Sequence, residues 1–530
     1  MIRTRLERLK QHDTRRVFLA VLGGKMLGIG AMLATVKGFA WYFDSTAFAQ
    51  STTIVHKADE LVSPINTVWV LVTAFLVFFM QAGFMALEAG FARSRETVNI
   101  LLECVFDTCL CGILYWAIGF AFQFGEGNGL IGHQFFFLHG MTDAYGSTGV
   151  AFLAFFLFQF AFADTASTIT SGAMVGRTGF KGDILYSTAV SGFIYPIFGH
   201  WVWGPGGWLG NTMGWFHGMS GDAVFRDFAG STVVHTVGGF IALAGCIALG
   251  PRLGRKFKRD GGGPTPPHDL TIGAIGGVIL WFGWYGFNPG STLSAMDWVG
   301  IGRVAANTTL AACAGGMVAV LFVYPRSKKW DLGISVNGFL GGLVAITAPC
   351  YWVSPMGAIV IGAVAGIVVP LAVDFMEYRR WDDPIGAVAV HGACGIWGTL
   401  SVGLFATGQF GIPTADGADT ATVVKGLFFG GGTDQLVAQV IGSASCVVVV
   451  FTVAMILMKA IASIKGSWSL RVGRDGELEG LDIHEHGTPA YHMEFGQGMT
   501  YSTPVGIPRE SPKPPVREPA ETAAAGDGSP

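Results

Sequence analysis

The sequence predicts an all-α polytopic membrane protein, and three observations support this fold class. Of 530 residues, 51% are hydrophobic and only 13% are charged, whereas soluble domains carry about 25% charged residues. Eleven mostly apolar stretches have about the 20-residue length of a membrane-spanning helix. Basic residues are concentrated in alternate loops between these stretches. The composition excludes a disordered protein, a nucleic-acid binder and an ordinary soluble enzyme.

Each apolar stretch is too long and too continuous for a buried strand, so we predict a helix for each. The predicted spans are 65–92, 98–123, 149–172, 184–204, 228–250, 271–290, 304–324, 333–350, 355–375, 384–407 and 434–463.

The loops after the first, third, fifth, seventh and ninth spans are basic. They contain Arg93, Arg95, Arg177, Lys181, Arg252, Arg255, Lys256, Lys258, Arg259, Arg326, Lys328, Lys329, Arg379 and Arg380. The alternate loops carry only isolated basic residues, namely Arg226, Arg303 and Lys425. Because basic loops stay in the cytoplasm, we expect a multi-pass protein of the plasma or inner membrane. The mature N-terminus should lie outside and the C-terminus in the cytoplasm.

Residues 1–49 form either a signal peptide or an extra N-terminal transmembrane helix. A basic start precedes an apolar run at 17–40, and Ala47-Phe48-Ala49 resembles a cleavage site. Lys25 within the run, and the length of the run, favour a retained helix instead. Cleavage is the preferred interpretation, and both place residues 50–62 outside.

The remaining chain divides into three parts. The membrane domain covers 50–463, and a more polar cytoplasmic C-terminal region covers 464–507. A Pro/Ala/Glu-rich tail at 508–530 is predicted to be disordered because it has too little apolar surface to bury.

Two spans carry a matching pair of ionisable residues. Asp227 precedes His235 by eight residues at the start of the fifth span, and Asp383 precedes His391 by eight at the start of the tenth. Because five spans separate them, the two helices enter the membrane from opposite sides. This arrangement predicts a five-plus-five inverted repeat followed by a long final helix. Eight residues advance a helix by about 12 Å, which places both histidines near the middle of the bilayer.

Ionisable residues inside a membrane are costly and usually functional. Two other interpretations of His235 and His391 stay open from the residues alone. Each histidine could bond a neighbouring backbone carbonyl, or the pair could ligate haem. The small residues around both histidines argue against a haem pocket.

Aromatic residues cluster near the predicted outer ends of three spans. Phe158 and Phe162 lie four residues apart on the third span, and Trp201 and Trp203 end the fourth. The sixth span ends with Trp281, Trp284, Tyr285 and Phe287, followed by Ser291. Such rings commonly form an interfacial belt, but ring faces also bind small cations.

These segments resemble the ammonium transporters of the Amt/Rh superfamily, in the branch shared by cyanobacteria and plants. The resemblance covers about 63–493. It is carried by the Asp227–His235 segment, by Trp284-Tyr285-Gly286-Phe287-Asn288-Pro289-Gly290-Ser291, by Asp382-Asp383-Pro384 leading to His391-Gly392-Ala393-Cys394-Gly395, by Gln81-Ala82-Gly83-Phe84, and by the tail from Gly480 to Tyr491.

The resemblance implies a role for each matching residue. Phe162, Trp203 and Ser291, with Phe158 beside them, would bind ammonium at an outer aromatic site. Phe162 and Phe287 would form the gate. Asp227 would be the essential acidic residue that accompanies deprotonation. His235 and His391 would line the hydrophobic pore through which ammonia passes.

The resemblance also implies partners and an alternative function. We expect a homotrimer in the lipid bilayer with ammonium and ammonia as its substrates, and a cytoplasmic PII-type protein as a regulator. No enzymatic activity, cofactor, metal site or nucleic-acid partner is expected. Because some members of the family are ammonium sensors, sensing through the cytoplasmic tail is the alternative to transport.

Four acidic residues lie inside the first three spans, namely Glu88, Glu103, Asp107 and Asp164. Polar groups at this depth either bond to other helices or serve transport. Hydrogen bonding at a subunit interface is the preferred interpretation. In the tail, His484 occupies the position at which plant relatives carry a phosphorylatable threonine, so that form of regulation is not expected.

The eight cysteines all lie in apolar stretches without the spacing of a zinc site or a disulfide framework. We therefore expect buried free thiols.

Overall fold

A computed structural model describes residues 63–419 and 422–491. The predicted signal peptide or extra helix at 1–49 and the tail beyond residue 491 lie outside the described residues. Within the described part, nine helices are long and apolar enough to cross a membrane. They are α1 Pro64–Phe91, α2 Ser94–Phe124, α3 Phe152–Gly172, α5 Ser231–Leu249, α6 Leu270–Gly290, α7 Trp298–Ser327, α9 Pro355–Arg379, α10 Val388–Phe405 and α11 Asp434–Ser463.

Two further helical segments lie between these helices along the chain. The segment α4 runs without a break through three pieces, Phe180–Ala189, Val190–Ile194 and Tyr195–Trp203. The shorter helix α8 covers Leu332–Thr347. Two short helices in the C-terminal region are α12, Arg474–Glu479, and α13, Leu481–His486.

The connections contain short helical turns and two small hairpins. The isolated turns are Phe136–Leu138, Trp208–Thr212, Gly214–Met219, Lys258–Asp260 and Leu427–Phe429. The first hairpin pairs β1, Ala144–Tyr145, with β2, Val150–Ala151, and the second pairs β3, Pro413–Thr414, with β4, Gly417–Ala418, both antiparallel.

Side-chain caps define where several helices begin. Ser63 accepts a hydrogen bond from the Asn66 N–H at the start of α1, and Pro64 occupies the first turn. Asp269, Asp297 and Asp331 cap α6, α7 and α8 in the same way. An oxygen acceptor satisfies N–H groups that a helix cannot pair internally, so these residues set the helix ends.

Three of the long helices contain a π-helical turn. In α2 this turn covers Tyr115–Gly119, between Thr97–Leu114 and Phe120–Phe124. In α5 it covers Ser231–Thr236, and in α10 it covers Val388–Ala393. The last two π turns contain His235 and His391. Single π turns are frequent at functional sites.

The helices differ in how far neighbours enclose them. In α3 and α5, 78% and 83% of the apolar window is buried, against 28% in α11. The exposed side chains of α1 and α11 are large and apolar, such as Phe75 and Ile456. This distribution fits inner helices that line a site and outer helices that face lipid.

Glycines allow close helix approach at two crossings. A Cβ atom at Gly90 of α1 would lie 2.3 Å from the Gly273 nitrogen of α6. A Cβ atom at Gly239 of α5 would lie 2.4 Å from the Gly392 nitrogen of α10. Small residues at such crossings let backbones touch. The second crossing sets the distance between the two histidine-bearing helices.

The basic loops predicted to share one side of the membrane do converge on one face. Arg252 forms a buried ion pair with Asp382, with Nε 2.8 Å from Oδ2, and Arg255 pairs with Asp382 and Glu377. Burial alone would raise the pKa of the Asp382 carboxyl, but the Arg252 guanidinium holds it well below its usual value. These contacts join the loops after α5 and α9.

The C-terminal helices dock on the same face. Arg95 donates to the Leu478 carbonyl at 2.9 Å, and the Asn99 N–H donates to Asp482 Oδ1 at 3.0 Å. His486 Nε2 lies 2.8 Å from Asn99 Oδ1. Burial lowers the pKa of the His486 imidazole, so the docked position favours the neutral ring.

The cysteines differ in part from the expectation. Six are buried free thiols, but Cys109 and Cys313 are exposed. Both lie in helices, so each thiol points away from the core on an outward-facing side of its helix.

Candidate functional site

A cavity of about 320 Å³, called the outer cavity after the predicted orientation, opens on the side opposite the basic loops. Five of the residues predicted to bind or assist the cation line it, namely Phe158, Phe162, Trp203, Asp227 and Ser291. Ser291 Oγ donates to the Phe287 carbonyl at 2.7 Å, which leaves its lone pairs free to accept. Ring faces and an acceptor oxygen are the groups that replace water around a small cation.

Two stacked phenylalanines close the floor of the outer cavity. The ring centroids of Phe162 and Phe287 are 4.0 Å apart, with an angle of 19° between the planes. Phe158 packs on Phe162 at 4.7 Å, and Trp203 meets the edge of Phe162 at 6.2 Å. Rings in van der Waals contact leave no passage for an ion between them, so a molecule passes only if they move.

The two histidines lie directly beyond this stack. The His235 ring is 5.4 Å from Phe287 and 5.2 Å from His391, nearly parallel to both. The Nδ1 atoms of the two histidines are 3.2 Å apart. Because a hydrogen bond between two ring nitrogens needs one donor and one acceptor, the pair shares a proton at this contact. The antiparallel entry of α5 and α10 thus brings the histidines together.

This arrangement argues against the two alternatives left open by the sequence. The iron of a bis-histidine haem lies between the two ligating nitrogens, and nearly parallel rings in contact leave no space for a porphyrin. The two Nδ1 atoms contact each other, so neither of them is hydrogen-bonded to a backbone carbonyl. His235 Nε2, in addition, has no hydrogen-bond partner among the described residues.

Asp227 caps the helix that carries His235. Its carboxylate accepts four backbone hydrogen bonds of 2.8–2.9 Å, from the N–H groups of Gly230, Ser231, Thr232 and Val233. Asp227 lies at the edge of the outer cavity with only 5% exposed. It therefore holds the helix end and also contributes negative charge to the cavity wall.

Asp383 caps α10 in a matching way. It accepts hydrogen bonds from the N–H groups of Gly386, Ala387 and Val388. Gly230 and Gly386 follow their aspartates by three residues, with φ angles of +111° and +83°. Glycine adopts such positive angles without steric cost, so the two segments share a turn that the Asp–His spacing alone does not predict.

A small inner cavity lies on the basic-loop side of the histidines. His391, Phe84, Asn337 and Glu88 contribute to its lining. Its volume of about 20 Å³ is enough for one water-sized molecule. The outer cavity, the phenylalanine stack, the histidine pair and the inner cavity thus follow one another across the membrane domain.

The structure brings all predicted site residues into this line, and it adds Trp284. The Trp284 ring stacks on His235 at 5.1 Å, and its Nε1–H donates to Thr347 Oγ1 at 2.9 Å. Trp284 is fully buried, so it does not belong to the interfacial belt. Trp284 precedes Phe287 by three residues and therefore shares its helix face. This spacing could have indicated from the sequence that Trp284 lies beside the phenylalanine stack.

The acidic residues of the first three spans do not lie at a subunit surface. Glu88, Glu103, Asp107 and Asp164 are each at most 3% exposed in the single chain. Ser171 donates to Glu88, Ser187 donates to Asp107, and Thr108 donates to Asp164. The expectation of hydrogen bonding at a subunit interface was wrong, because α1 to α4 bury these side chains within one protomer.

Comparison with known proteins points to one family. A family model described as the Ammonium Transporter Family matches residues 68–491. Ammonium transporter Amt2 of Archaeoglobus fulgidus is 41% identical over 433 residues, which cover 81% of this chain and 88% of that protein. Ammonium transporter 1 member 3 of Solanum lycopersicum is 36% identical, covering 81% and 93%. A solved structure titled Sensor Amt Protein superposes with a TM-score of 0.69 at 36% identity, covering 80% and 98%.

Proposed function

Because the chain belongs to the ammonium transporter family, we propose that it moves ammonium across a membrane by separating it into ammonia and a proton. The observation that carries this proposal is the order of the site. An aromatic cavity with a carboxylate leads to a closed phenylalanine pair and then to two contacting histidines. Each group suits one step in the passage of a cation that can lose a proton.

Recruitment takes place in the outer cavity. Phe158, Phe162 and Trp203 offer ring faces to the ammonium ion, and the Ser291 hydroxyl accepts one N–H hydrogen bond. Cation–π contacts contribute about 0.5–2 kcal/mol each when partly desolvated. Asp227 adds attraction for the cation from the cavity wall without having to touch it.

Deprotonation precedes the gate. Moving a charged ion from water into an apolar pore has a large desolvation free energy, whereas moving ammonia costs only the loss of a few hydrogen bonds to water. Once the rings of Phe162 and Phe287 move apart, ammonia passes to His235 and His391. Burial keeps both imidazoles from adding charge, and they offer hydrogen bonds in place of water. Potassium has no proton to lose, so it cannot become a neutral molecule and does not enter the apolar pore.

The wider architecture is part of the proposal. Eleven spans form a five-plus-five inverted repeat with α11 as the long final helix, supported by the matching Asp227 and Asp383 turns on α5 and α10. Three copies assemble with one pore each, with the basic-loop face and the docked tail in the cytoplasm. A PII-type protein would bind at that face. The protein carries out no covalent catalysis and uses no cofactor.

Growth of a transport-deficient cell on low ammonium tests the function. We expect the wild-type chain to support growth, and His235→Ala/His391→Ala to fail or to lose ammonium selectivity. His217→Ala, at an exposed position in the outer-loop turn Gly214–Met219, is the matched control and should grow normally. Equal growth of the double variant and the control would refute the assignment of the pore. Transport of potassium itself at a rate similar to that of ammonium would refute the deprotonation route.

Sensing is the second candidate, since one similar solved structure is titled a sensor Amt protein. A sensor without transport would bind ammonium but pass none. Ammonium-evoked flux in proteoliposomes that contain only this protein therefore separates the two functions.

A further inference from the structure

Two residues of opposite charge line the outer cavity. Among the described residues of its wall, Arg226 is the one basic residue and Asp227 the one acidic residue. They form no ion pair with each other within the described chain, and the Asp227 carboxylate is occupied by four backbone N–H groups. An ammonium ion in this cavity is therefore attracted by one residue and repelled by the residue next to it in the chain.

The backbone of Arg226 is fixed by α11, independently of its side chain. Its N–H donates to Gln439 Oε1 at 2.8 Å, and its carbonyl accepts a hydrogen bond from Gln439 Nε2 at 2.7 Å. The partly buried side chain makes no hydrogen bond, ion pair or cation–π contact with another described residue. Burial without a neighbouring carboxylate lowers the pKa of the Arg226 guanidinium. Its positive charge thus has no partner within the described chain.

Other arginines at similar or greater burial do have partners. Arg252 forms an ion pair with Asp382, and Arg177 donates to four backbone carbonyls. Arg303, which is partly buried like Arg226, donates to a backbone carbonyl at 3.0 Å. Removing a charged group from water without pairing it is costly. The unpaired guanidinium in the cavity wall is therefore suited to a ligand of negative charge.

The same wall contains further unpaired polar groups. The indole Nε1–H of Trp352 is a donor and Gln159 Oε1 is an acceptor, and neither has a hydrogen-bond partner among the described residues. Cations need acceptors and anions need donors, so the wall offers groups for both. The cavity volume of about 320 Å³ exceeds the roughly 30 Å³ that one water molecule occupies in the liquid. A small cation and a small anion therefore fit together.

Resting on the proposed recruitment of ammonium in this cavity, we propose that Arg226 binds a small monovalent anion, such as chloride, beside the ammonium ion. The anion balances the guanidinium, so the Asp227 carboxylate is left as the net charge that acts on the cation. Each ion raises the affinity for the other by the same factor, because coupling between two sites is reciprocal. For unit charges about 10 Å apart this factor is about 2 in bulk water and about 15 at an effective dielectric constant of about 20.

Uptake of labelled methylammonium into proteoliposomes that contain the full chain tests this proposal. The apparent KM is measured at constant ionic strength in chloride and in lactobionate, a disaccharide acid too bulky to share the cavity with a cation. Potassium and valinomycin on both sides hold the membrane potential at zero. We expect the wild-type KM to be at least threefold higher in lactobionate. Arg226→Gln should give the same KM in both salts, no higher than that of the wild type in chloride.

Two further measurements control this result. Lys425→Gln removes a basic charge on the same side of the membrane, at an exposed position outside the cavity wall, and should keep the chloride dependence of the wild type. Wild-type crystals soaked in bromide should show anomalous scattering beside the Arg226 guanidinium, and Arg226→Gln crystals should show none there.

The outcomes separate failure of the anion site from failure of the proposed function. A wild-type KM that is equal in both salts, an equal chloride dependence in Arg226→Gln, or a lack of bromide beside Arg226 each overturns the proposal. Bromide without a change in KM indicates an adventitious ion only and also overturns it, as does a carboxylate of a neighbouring copy paired with Arg226. A wild type without uptake in either salt refutes transport instead. If Arg226→Gln does not fold, the wild-type KM values and the bromide signal decide.

Discussion

Asp227 serves both as a helix cap and as a charge beside the outer cavity. Its counterpart Asp383 is a helix cap only, so a comparison of the two residues distinguishes the roles of Asp227. Both carboxylates accept backbone N–H groups at the start of a histidine-bearing helix. Only Asp227 lines the outer cavity. The pair Asp227→Asn and Asp383→Asn therefore compares the loss of a capping charge with and without a cation site beside it.

The cost in stability differs between the two variants by about one hydrogen bond. An asparagine that retains Oδ1 keeps the bonds from Gly230 and Ser231 and loses those at Oδ2, from Thr232 and Val233. At about 1 kcal/mol for each bond, Asp227→Asn costs about 2 kcal/mol. Asp383→Asn loses one bond, from Val388, and costs about 1 kcal/mol.

The cost in transport differs. At an effective dielectric constant of about 20, a carboxylate attracts a cation within about 10 Å by at least roughly 1.7 kcal/mol, a factor of about 15 in affinity. We expect Asp227→Asn to raise the apparent KM for labelled methylammonium at least tenfold in proteoliposomes. Asp383→Asn should stay within threefold of wild type. Equal effects of the two variants would show that Asp227 acts only as a cap.

Three further outcomes follow from other parts of the structure. Asp382→Asn should lower the free energy of unfolding in detergent by about 3–5 kcal/mol, because it leaves a buried guanidinium unpaired, whereas alanine at the exposed ion-pair residue Arg380 should leave the free energy of unfolding nearly unchanged. Since burial lowers the pKa of His486, tail docking should weaken as the pH falls through the ordinary histidine value of about 6.5. Limited proteolysis should then increase from pH 7.5 to 5.5, and His486→Gln should remove that dependence; proteolysis independent of pH in the wild type would contradict it. Gly239→Ala should lower the melting temperature and the uptake rate, because its Cβ atom would collide with the α10 backbone, while Gly302→Ala, with open space around it, should leave both unchanged.

The sequence was most informative where the bilayer restricts the choice of residue. Asp227, His235, Asp383 and His391 stand out because charged or polar groups are rare in apolar spans. The equal Asp–His spacing on two antiparallel helices predicts that the histidines approach each other. Their Nδ1 atoms lie 3.2 Å apart.

Hydropathy says much less about which side of a buried helix faces what. The helix α3 is buried on nearly every side, so no periodic pattern shows that Asp164 turns toward Thr108 of α2 rather than toward another subunit. The depth of Trp284 was missed for a related reason, since an interfacial ring and a pore ring look alike in a sequence. The matched positive φ angles of Gly230 and Gly386 depend on backbone geometry that the Asp–His spacing does not encode.

The π turns at Ser231–Thr236 and Val388–Ala393 have a consequence for how this pore tolerates insertions and deletions. Each π turn accommodates a residue more than an α-helical turn does, and one residue corresponds to a rotation of about 100° in an α-helix. Deleting a single residue from either turn would restore regular α geometry and swing the histidine or its cap to a different side of the helix. The direction of each imidazole thus depends on a residue count as well as on residue identity. Among relatives, substitutions in these two turns should therefore be far commoner than changes in their length.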